Sequence, residues 1–166
     1  MAVRPVLVLP DRRLSQPAVP VGKVDDAARA VADDLIDTMR VSPACVGLAA
    51  TQLGVLLRVF VIDVTGHRKA RSSHGEVVLF DPEVVLARGR ELAREGCMSV
   101  PDLTGDVARA TTVVVRGTTP DGTDRVLEVE GFEARAVLHE FDHLDGLLFL
   151  DRVSSPEAVF RRRVYR

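Results

Sequence analysis

The chain has 166 residues, of which 46% are hydrophobic and 28% charged, and its formal net charge is −2. This composition excludes disorder and fibrous repeats. The length predicts one domain over residues 1–166. The balanced charge excludes general binding of nucleic acid by electrostatics. No apolar run approaches the ~20 residues of a membrane span, and two cysteines do not form a disulfide framework, so we expect a cytoplasmic protein with reduced thiols.

The first predicted helix follows an extended N-terminal segment. Four prolines exclude a regular helix from the first 23 residues. Over 24–40, apolar residues recur with helical spacing, and Asp25 or Asp26 can cap the start. A loop with glycine and proline breakers then covers 41–54.

Most of the following chain is predicted to be strand. The predicted strands are 58–64, 76–85, 111–116 and 125–130. The polar segment 66–75 is expected to be an exposed loop, and Pro82 interrupts the second strand. A turn at Pro120-Asp121-Gly122 joins the last two strands into a hairpin.

Two further helices are predicted near the C-terminus. One covers 132–144 and ends before Gly146, which stands where a C-cap glycine belongs. Ser155 followed by Pro156 predicts the start of a short final helix. Because strands outnumber helices and do not alternate with them, we expect an α+β protein, with mixed or antiparallel sheets packed around the helix over 132–144.

The predicted helix over 132–144 carries the pattern HEFDH. His139 and His143 are four residues apart, which is about 400° of rotation, so both rings leave the same face. One divalent metal can bind both imidazoles. Glu140 lies about 100° around the helix, where it can reach a water molecule beside the metal and act as a general base.

The surroundings of this pattern favour a buried site over a chance match on an exposed helix. The flanking residues are apolar, namely Val137, Leu138, Phe141 and Leu144. Buried histidine and glutamate side chains need partners, and a metal would supply one to each.

Two imidazoles and a water molecule leave a tetrahedral site one ligand short. The residues themselves leave several candidates open. Asp145, Asp151 and Glu157 follow the histidines, and Cys97 lies upstream in the segment REGCMSVP. A lone cysteine is more often a small buried hydrophobe than a ligand.

Three segments together resemble the peptide deformylase family. They are CVGLAATQ (residues 45–52), EGCMS (95–99) and HEFDH (139–143). The second and third match the family motifs fully, and the first matches except at Cys45, where the family usually has glycine. The resemblance extends from about residue 6 to residue 153 and implies a single peptide-deformylase-like catalytic domain.

The resemblance implies a complete metal site. Cys97, His139 and His143 would bind the metal, and Glu140 would be the general base and later the acid. The family uses one divalent ion, which is Fe²⁺ in the cell for many members, while Zn²⁺, Ni²⁺ or Co²⁺ can take its place. The cofactor expected here is therefore one such ion, with Fe²⁺ preferred.

The resemblance also implies how substrate is held. Gln52 and the backbone N–H of Met98 would donate to the oxygen that becomes negative in the reaction. Val46, Gly47 and Gly96 would bind an extended peptide through the backbone. The implied reaction is hydrolytic removal of the N-formyl group from the formylmethionine of nascent chains.

Four residues depart from the family pattern or raise a question about the substrate pocket. They are Cys45, Leu138, Thr104 and Arg135. The charge of Arg135 either snorkels outward or reshapes specificity. Asp142 either pairs with Arg109, orients a metal ligand or forms an exposed salt bridge.

A basic C-terminal segment bears on possible partners. Some relatives dock on ribosomes through a longer basic helix, and the residues here that form either a remnant of it or an exposed face are Arg161, Arg162, Arg163 and Arg166. Transient ribosome association is thus one expectation. No membrane or specific nucleic-acid partner is expected.

Three alternatives to a deformylase of nascent chains stay open from the sequence. A paralogue would act on another N-formyl compound or serve as an inhibitor-tolerant duplicate. A metalloprotease would use the same helix with an acidic third ligand. A binding module would keep its metal only for stability.

Overall fold

The computed structural model of the protein describes residues 2–163. In chain order the elements are α1 (Asp26–Val41), β1 (Gly47–Ala49), β2 (Val59–Ile62), β3 (Val77–Arg88), β4 (Glu91–Cys97), β5 (Val100–Arg109), β6 (Thr112–Thr118), β7 (Asp124–Glu130), α2 (Gly131–Leu144) and β8 (Val159–Arg161). Short 3₁₀ turns lie at Arg12–Ser15, Ala50–Leu53, Phe149–Asp151 and Pro156–Ala158.

Two antiparallel sheets enclose α2, which confirms the predicted α+β class. The five-stranded sheet has the order β1-β2-β3-β6-β7, and the three-stranded sheet has the order β4-β5-β8. On one side of α2, Val137 and Leu144 pack into a core shared with the larger sheet. On the other side, Arg135 and His139 contact Glu95 of β4. The helix with the HEFDH pattern is therefore central.

Helix α1 begins where its capping residue predicts. The side chain of Asp25 accepts a hydrogen bond from the N–H of Ala28 at 2.9 Å. An apolar stripe that includes Leu35 and Met39 packs against β2 and the segment around Leu48. No described helix has the length and apolar character that crossing a membrane requires.

The prediction of a strand broken at Pro82 is only partly right. Strand β3 continues from Val77 to Arg88, and its register with β6 shifts between Phe80 and Glu83. Asp81 at this bulge adopts φ 46°, and its carboxylate accepts the N–H groups of Val21 and Gly22 at 2.7 Å. The proline is accommodated as a bulge, so it bends the strand without ending it.

Strands β4 and β5 are missing from the prediction. Strand β4 reads ELAREGC and is largely exposed, while β5 reads VPDLTGDVAR. Neither shows the apolar run or clean alternation by which a strand is predicted, because this sheet packs on α2 mainly through charged and small side chains.

The predicted final helix is wrong. Pro156–Ala158 forms only a three-residue 3₁₀ turn, and the chain then extends into β8, which pairs with β5 from Gly105↔Val159 to Leu103↔Arg161. The free edge of β5 pairs with this segment, and the guanidinium of Arg94 lies over the ring of Phe160, 3.6 Å from its centroid. Arg166 lies outside the described residues.

Candidate metal centre

Three potential ligand atoms converge where the end of β4 meets α2. Cys97, His139 and His143 each offer one ligand atom, and these atoms lie within 4.8 Å of one another. The Sγ atom of Cys97 lies 3.3 Å from Nε2 of His143. Cys97 and His143 are buried and His139 is half-buried. One turn of α2 therefore supplies two imidazoles, and the last residue of β4 supplies a thiol.

The chemistry of this cluster fits a divalent ion of the borderline class. Burial alone would raise the pKa of the Cys97 thiol, but the charge of His143 and hydrogen bonds with both imidazoles outweigh it and lower the pKa well below the usual value. A thiolate and two imidazoles are a common three-residue ligand set that leaves a fourth position open. Within residues 2–163, Nδ1 of buried His143 has no hydrogen-bond partner.

The acidic residues that follow the histidines do not join this cluster. Asp145 pairs with Arg58 at 2.9 Å, and Asp151 accepts the N–H of Leu148 at 2.8 Å. Glu157 lies exposed in the 3₁₀ turn before β8. Of the candidates that the sequence left open for the third position, the geometry favours Cys97.

Glu140 is a buried carboxyl beside the cluster. Burial raises its pKa to about 7. Within residues 2–163 its Oε2 atom has no hydrogen-bond partner. A Cβ atom on Gly47 would lie 2.7 Å from Oε1, so only glycine leaves room for the carboxyl in this position. Such a group can take up and release a proton near neutral pH.

Gln52 is held against the same cluster. Its Oε1 atom accepts the N–H of Ala49 at 3.0 Å. Its Nε2 atom donates to Oγ of Ser99 at 3.1 Å and lies 3.6 Å from Sγ of Cys97. These contacts leave the amide oriented toward the cluster. Met98, the residue after Cys97, is half-buried and lines the same cleft.

A cleft of about 530 Å³ opens over the cluster. Val46 and Gly47 line one side and Gly96 the other. Strand β1 is one edge strand of the larger sheet, and β4 is one edge strand of the smaller sheet. Two strand edges facing one cleft can accept an extended peptide by backbone hydrogen bonding. The structure thus brings together the site residues that the family resemblance implied, whereas the three acidic candidates lie elsewhere.

A buried charge network lies behind the cluster, and only the pairing of Asp142 with Arg109 was among the expectations from the sequence. The Glu95 carboxylate accepts two hydrogen bonds from Arg109, at 2.8 and 3.0 Å, and lies 2.9 Å from Nδ1 of His139. Burial opposes ionisation of Glu95, but the hydrogen bonds from His139 and Arg109 prevail and lower its pKa. When a carboxylate binds the imidazole nitrogen that does not face the metal, here Nδ1, it fixes the orientation of the ring. For the role of Glu95, the only sequence signal was its position inside EGCMS.

Arg135 belongs to this network. Its Nη1 atom donates to Oε1 of Glu95 and to the carbonyl of Val107, both at 2.8 Å, and Nη2 donates to the carbonyl of Glu91 at 2.8 Å. The expectation that its charge snorkels outward is therefore wrong. A guanidinium has enough fixed donors to satisfy all three acceptors in the interior.

Asp142 is buried and pairs with Arg109 at 2.5 Å, and Arg152 donates to it from the outside at 2.8 Å. Of the three arrangements expected for Asp142, the structure shows the pairing with Arg109, and the burial of both side chains excludes an exposed salt bridge. Arg109 thus joins Glu95 to Asp142, and it links β5 to both β4 and α2.

Besides Arg135, two of these four residues, Cys45 and Thr104, line the cleft. The Sγ atom of Cys45 donates to the carbonyl of Gly47 at 3.1 Å, and burial raises the pKa of this thiol to about 12. Thr104 lines the cleft next to Gly96. Leu138 instead packs against the core of the larger sheet, where an apolar side chain is suited.

An α+β fold whose HExxH helix faces a cysteine thiol below a peptide-sized cleft has the arrangement of a metal-dependent hydrolase. The family described as polypeptide deformylase matches residues 3–159. The chain therefore belongs to the polypeptide deformylase family.

Individual relatives agree over most of the chain. It is 41% identical over 156 residues to a peptide deformylase of Methylocella silvestris, covering 93% of this chain and 79% of the relative. It is 40% identical over 160 residues to one of Thermomicrobium roseum, covering 96% and 90%. The crystal structure of a peptide deformylase from Legionella pneumophila matches with a TM-score of 0.84, 39% identity and coverage of 95% and 89%.

A relative in complex with a ligand is also similar. The peptide deformylase from Ehrlichia chaffeensis in complex with actinonin matches with a TM-score of 0.87 and 31% identity, covering 95% of this chain and 92% of that one.

Proposed function

We propose that this protein hydrolyses the N-formyl group from peptides that begin with formylmethionine, in a single catalytic domain over residues 1–166. The observation that supports it most is the convergence of Cys97, His139 and His143 next to the buried Glu140. Cys97, His139 and His143 are the proposed metal ligands. A divalent ion there, when bound, supplies a Lewis acid that lowers the pKa of a water molecule.

Glu140 moves the proton in the proposed reaction. A carboxyl whose pKa burial raises to about 7 takes a proton from the attacking water and then donates it to the departing amine. The amine is a poor leaving group without that proton. Both transfers need one carboxyl that faces the reacting atoms, and Glu140, with an unpartnered oxygen within residues 2–163, is suited to this role.

Gln52 and Met98 are proposed to stabilise the negative charge that develops on the formyl oxygen. The Gln52 amide is held by Ala49 and Ser99, so it need not reorganise as the charge develops. Together with the backbone N–H of Met98 it would supply two donors, each typically worth ~3 kcal/mol in the transition state.

The substrate peptide is proposed to lie extended between β1 and β4. Val46, Gly47 and Gly96 would bind its backbone. A formyl carbon carries only hydrogen beyond its carbonyl, so a close wall beside Gly47 and Glu140 would exclude bulkier acyl groups by shape. The compartment that follows from a nascent-chain substrate is the cytoplasm.

The metal we propose for the cell is Fe²⁺, while Zn²⁺, Ni²⁺ or Co²⁺ would also suit a ligand set of one thiolate and two imidazoles. Transient association with the ribosome stays a prediction. Within the described residues, Arg161 ends strand β8 and Arg162 and Arg163 follow it, so these arginines do not form a basic helix. The alternative of another N-formyl substrate is not favoured by the relatives, which are named peptide deformylases.

The test is elemental analysis of anaerobically purified protein, followed by an assay of formyl-Met-Ala-Ser on the same sample. We expect about one equivalent of a transition metal and turnover that a chelator abolishes. Metal-loaded protein that fails to hydrolyse the peptide would overturn the proposal. Hydrolysis of other N-formyl compounds by that sample would then support the paralogue.

A further inference from the structure

The rim of the cleft carries a strong positive charge on a protein whose net charge is negative. Among the described residues that line the cleft, six side chains are cationic and only Glu95 and Glu140 are acidic. The whole chain, by contrast, has 22 basic and 24 acidic residues. The cations are Arg68, Lys69, Arg94, Arg135, Arg162 and Arg163.

The two acids do not neutralise this rim. Glu95 is fully engaged with Arg109, Arg135 and His139 beneath the cleft. Glu140 is buried beside the ligand residues Cys97, His139 and His143. Of the cations, Arg135 is bound to Glu95 and Arg94 pairs with Asp106. Within residues 2–163, the remaining four form no ion pair, and all four are exposed.

One pair of these cations is carried by the loop between β2 and β3. The His67 ring stacks on Phe132 at 4.2 Å, with 10° between the planes. This contact holds the adjacent Arg68 and Lys69 beside the start of α2, where both line the cleft. Farther along the loop, the N–H of His74 donates to the buried Glu133 at 2.9 Å. The loop is thus tied to α2 at two points.

The other pair is brought in by the C-terminal segment. Strand β8 adds to β5, and the N–H of Arg162 continues the pairing to the carbonyl of Asp102 at 2.9 Å. The Nη2 atom of Arg162 donates to the carbonyl of Cys97 at 3.1 Å. Its guanidinium lies against Gly96, where a Cβ atom would be 2.6 Å from Nη2.

We propose that Arg68, Lys69, Arg162 and Arg163 make this enzyme select substrates with acidic side chains at the two residues after formylmethionine. This inference rests on the proposed function. A peptide extended between β1 and β4 advances about 3.3 Å per residue. The two residues after formylmethionine would therefore extend away from Cys97, His139 and His143, and would lie within the part of the cleft that these two pairs of cations line. Cations lining a low-dielectric cleft attract anionic groups and repel cationic ones.

The test uses tripeptide amides, in which only the side chains change the charge. The metal-loaded enzyme is assayed with formyl-Met-Glu-Glu-amide, its isosteric formyl-Met-Gln-Gln-amide and formyl-Met-Lys-Lys-amide. At low salt, kcat/KM should be about tenfold or more higher for the Glu peptide than for the Lys peptide, with Gln between them. The difference should lie in KM, and it should shrink as salt shortens the Debye length below about 10 Å.

Two double variants locate the effect. Removing the C-terminal pair (R162A/R163A) or the loop pair (R68A/K69A) should each reduce the Glu-to-Lys preference several-fold. Because Arg162 donates to the carbonyl of Cys97, metal content is measured in R162A/R163A, and the readout is the ratio of kcat/KM for the two charged peptides within each variant. Arg71 is exposed on the same loop but does not line the cleft, so Arg71→Ala is the matched control and should keep the preference.

The outcomes separate this inference from the proposed function. Hydrolysis of all three peptides with equal kcat/KM would overturn the charge selection and leave deformylation intact. Failure to hydrolyse any of them, in a sample with full metal content, would overturn the proposed function itself. A preference that survives in both double variants would also contradict the assignment to these four residues.

Discussion

Gly47 lies directly against the carboxyl of Glu140: a Cβ atom at position 47 would be 2.7 Å from Oε1 and 3.1 Å from Cδ. The backbone of β1 at this residue is extended, and the atom that it meets is the end of a side chain. A larger residue would therefore displace the carboxyl and leave the strand in place.

Gly47→Ala should consequently lower activity far more than stability. We expect kcat/KM for formyl-Met-Ala-Ser to fall by about tenfold or more, since a shift of about 1 Å in a catalytic group is enough for such losses. Metal content should not change. A variant with wild-type kcat/KM would show that the position of Glu140 does not matter.

Replacing Glu140 itself tests the proposed proton transfers. Glu140→Gln keeps the shape of the side chain and removes its ability to accept a proton. We expect kcat to fall by about 10² or more, with metal content preserved as measured by elemental analysis. Activity within a few-fold of wild type would contradict the assignment of Glu140 as the group that moves the proton.

The buried charge network of Glu95, Arg109 and Arg135 should contribute to the free energy of unfolding. Arg135→Met leaves the carbonyls of Val107 and Glu91 without this donor and removes one of the partners of Glu95. Breaking a buried pair by removing one partner typically costs about 3–5 kcal/mol, to be measured by denaturant unfolding. The exposed pair of Arg116 with Glu83 offers the control, because Arg116→Met should cost about 1 kcal/mol or less. Equal losses in the two variants would refute a structural role for the buried arginine.

Much of the molecule follows from local sequence signals. The helical spacing of the two histidines marks helix α2, and Gly146, which adopts φ 75°, marks its end. The turn at Pro120-Asp121-Gly122 marks the hairpin of β6 and β7. The three motifs led to the three converging ligand residues and to Glu140 and Gln52 beside them, because a family resemblance encodes contacts that are distant along the chain.

What the sequence did not reveal depends on tertiary contacts. Strand β4 is exposed on one face and buries Glu95 on the other, so no apolar pattern marks it. The depth of Arg135 depends on acceptors that lie 28 to 44 positions away. The C-terminal segment becomes strand β8 because β5 has a free edge, and no local residue specifies that edge.

Cys45 should be an unreactive thiol although it lies at the cleft. Burial raises its pKa to about 12, and the thiolate is the reactive form. Its alkylation in the metal-loaded protein should therefore be slow at pH 8 and rise steadily as the pH approaches 12. Mass spectrometry after iodoacetamide treatment measures this, with Cys45→Ser as the blank. Rapid labelling of Cys45 at pH 8 would contradict the buried, protonated thiol.

X-ray absorption spectroscopy of the zinc-loaded protein tests the central claim most directly, because it counts the sulfur and nitrogen ligands at the metal. We predict one sulfur at about 2.3 Å and two imidazole nitrogens at about 2.0–2.1 Å. The sulfur signal should persist in Cys45→Ser and disappear in Cys97→Ser. A spectrum of the wild-type protein with only nitrogen and oxygen ligands would contradict the account.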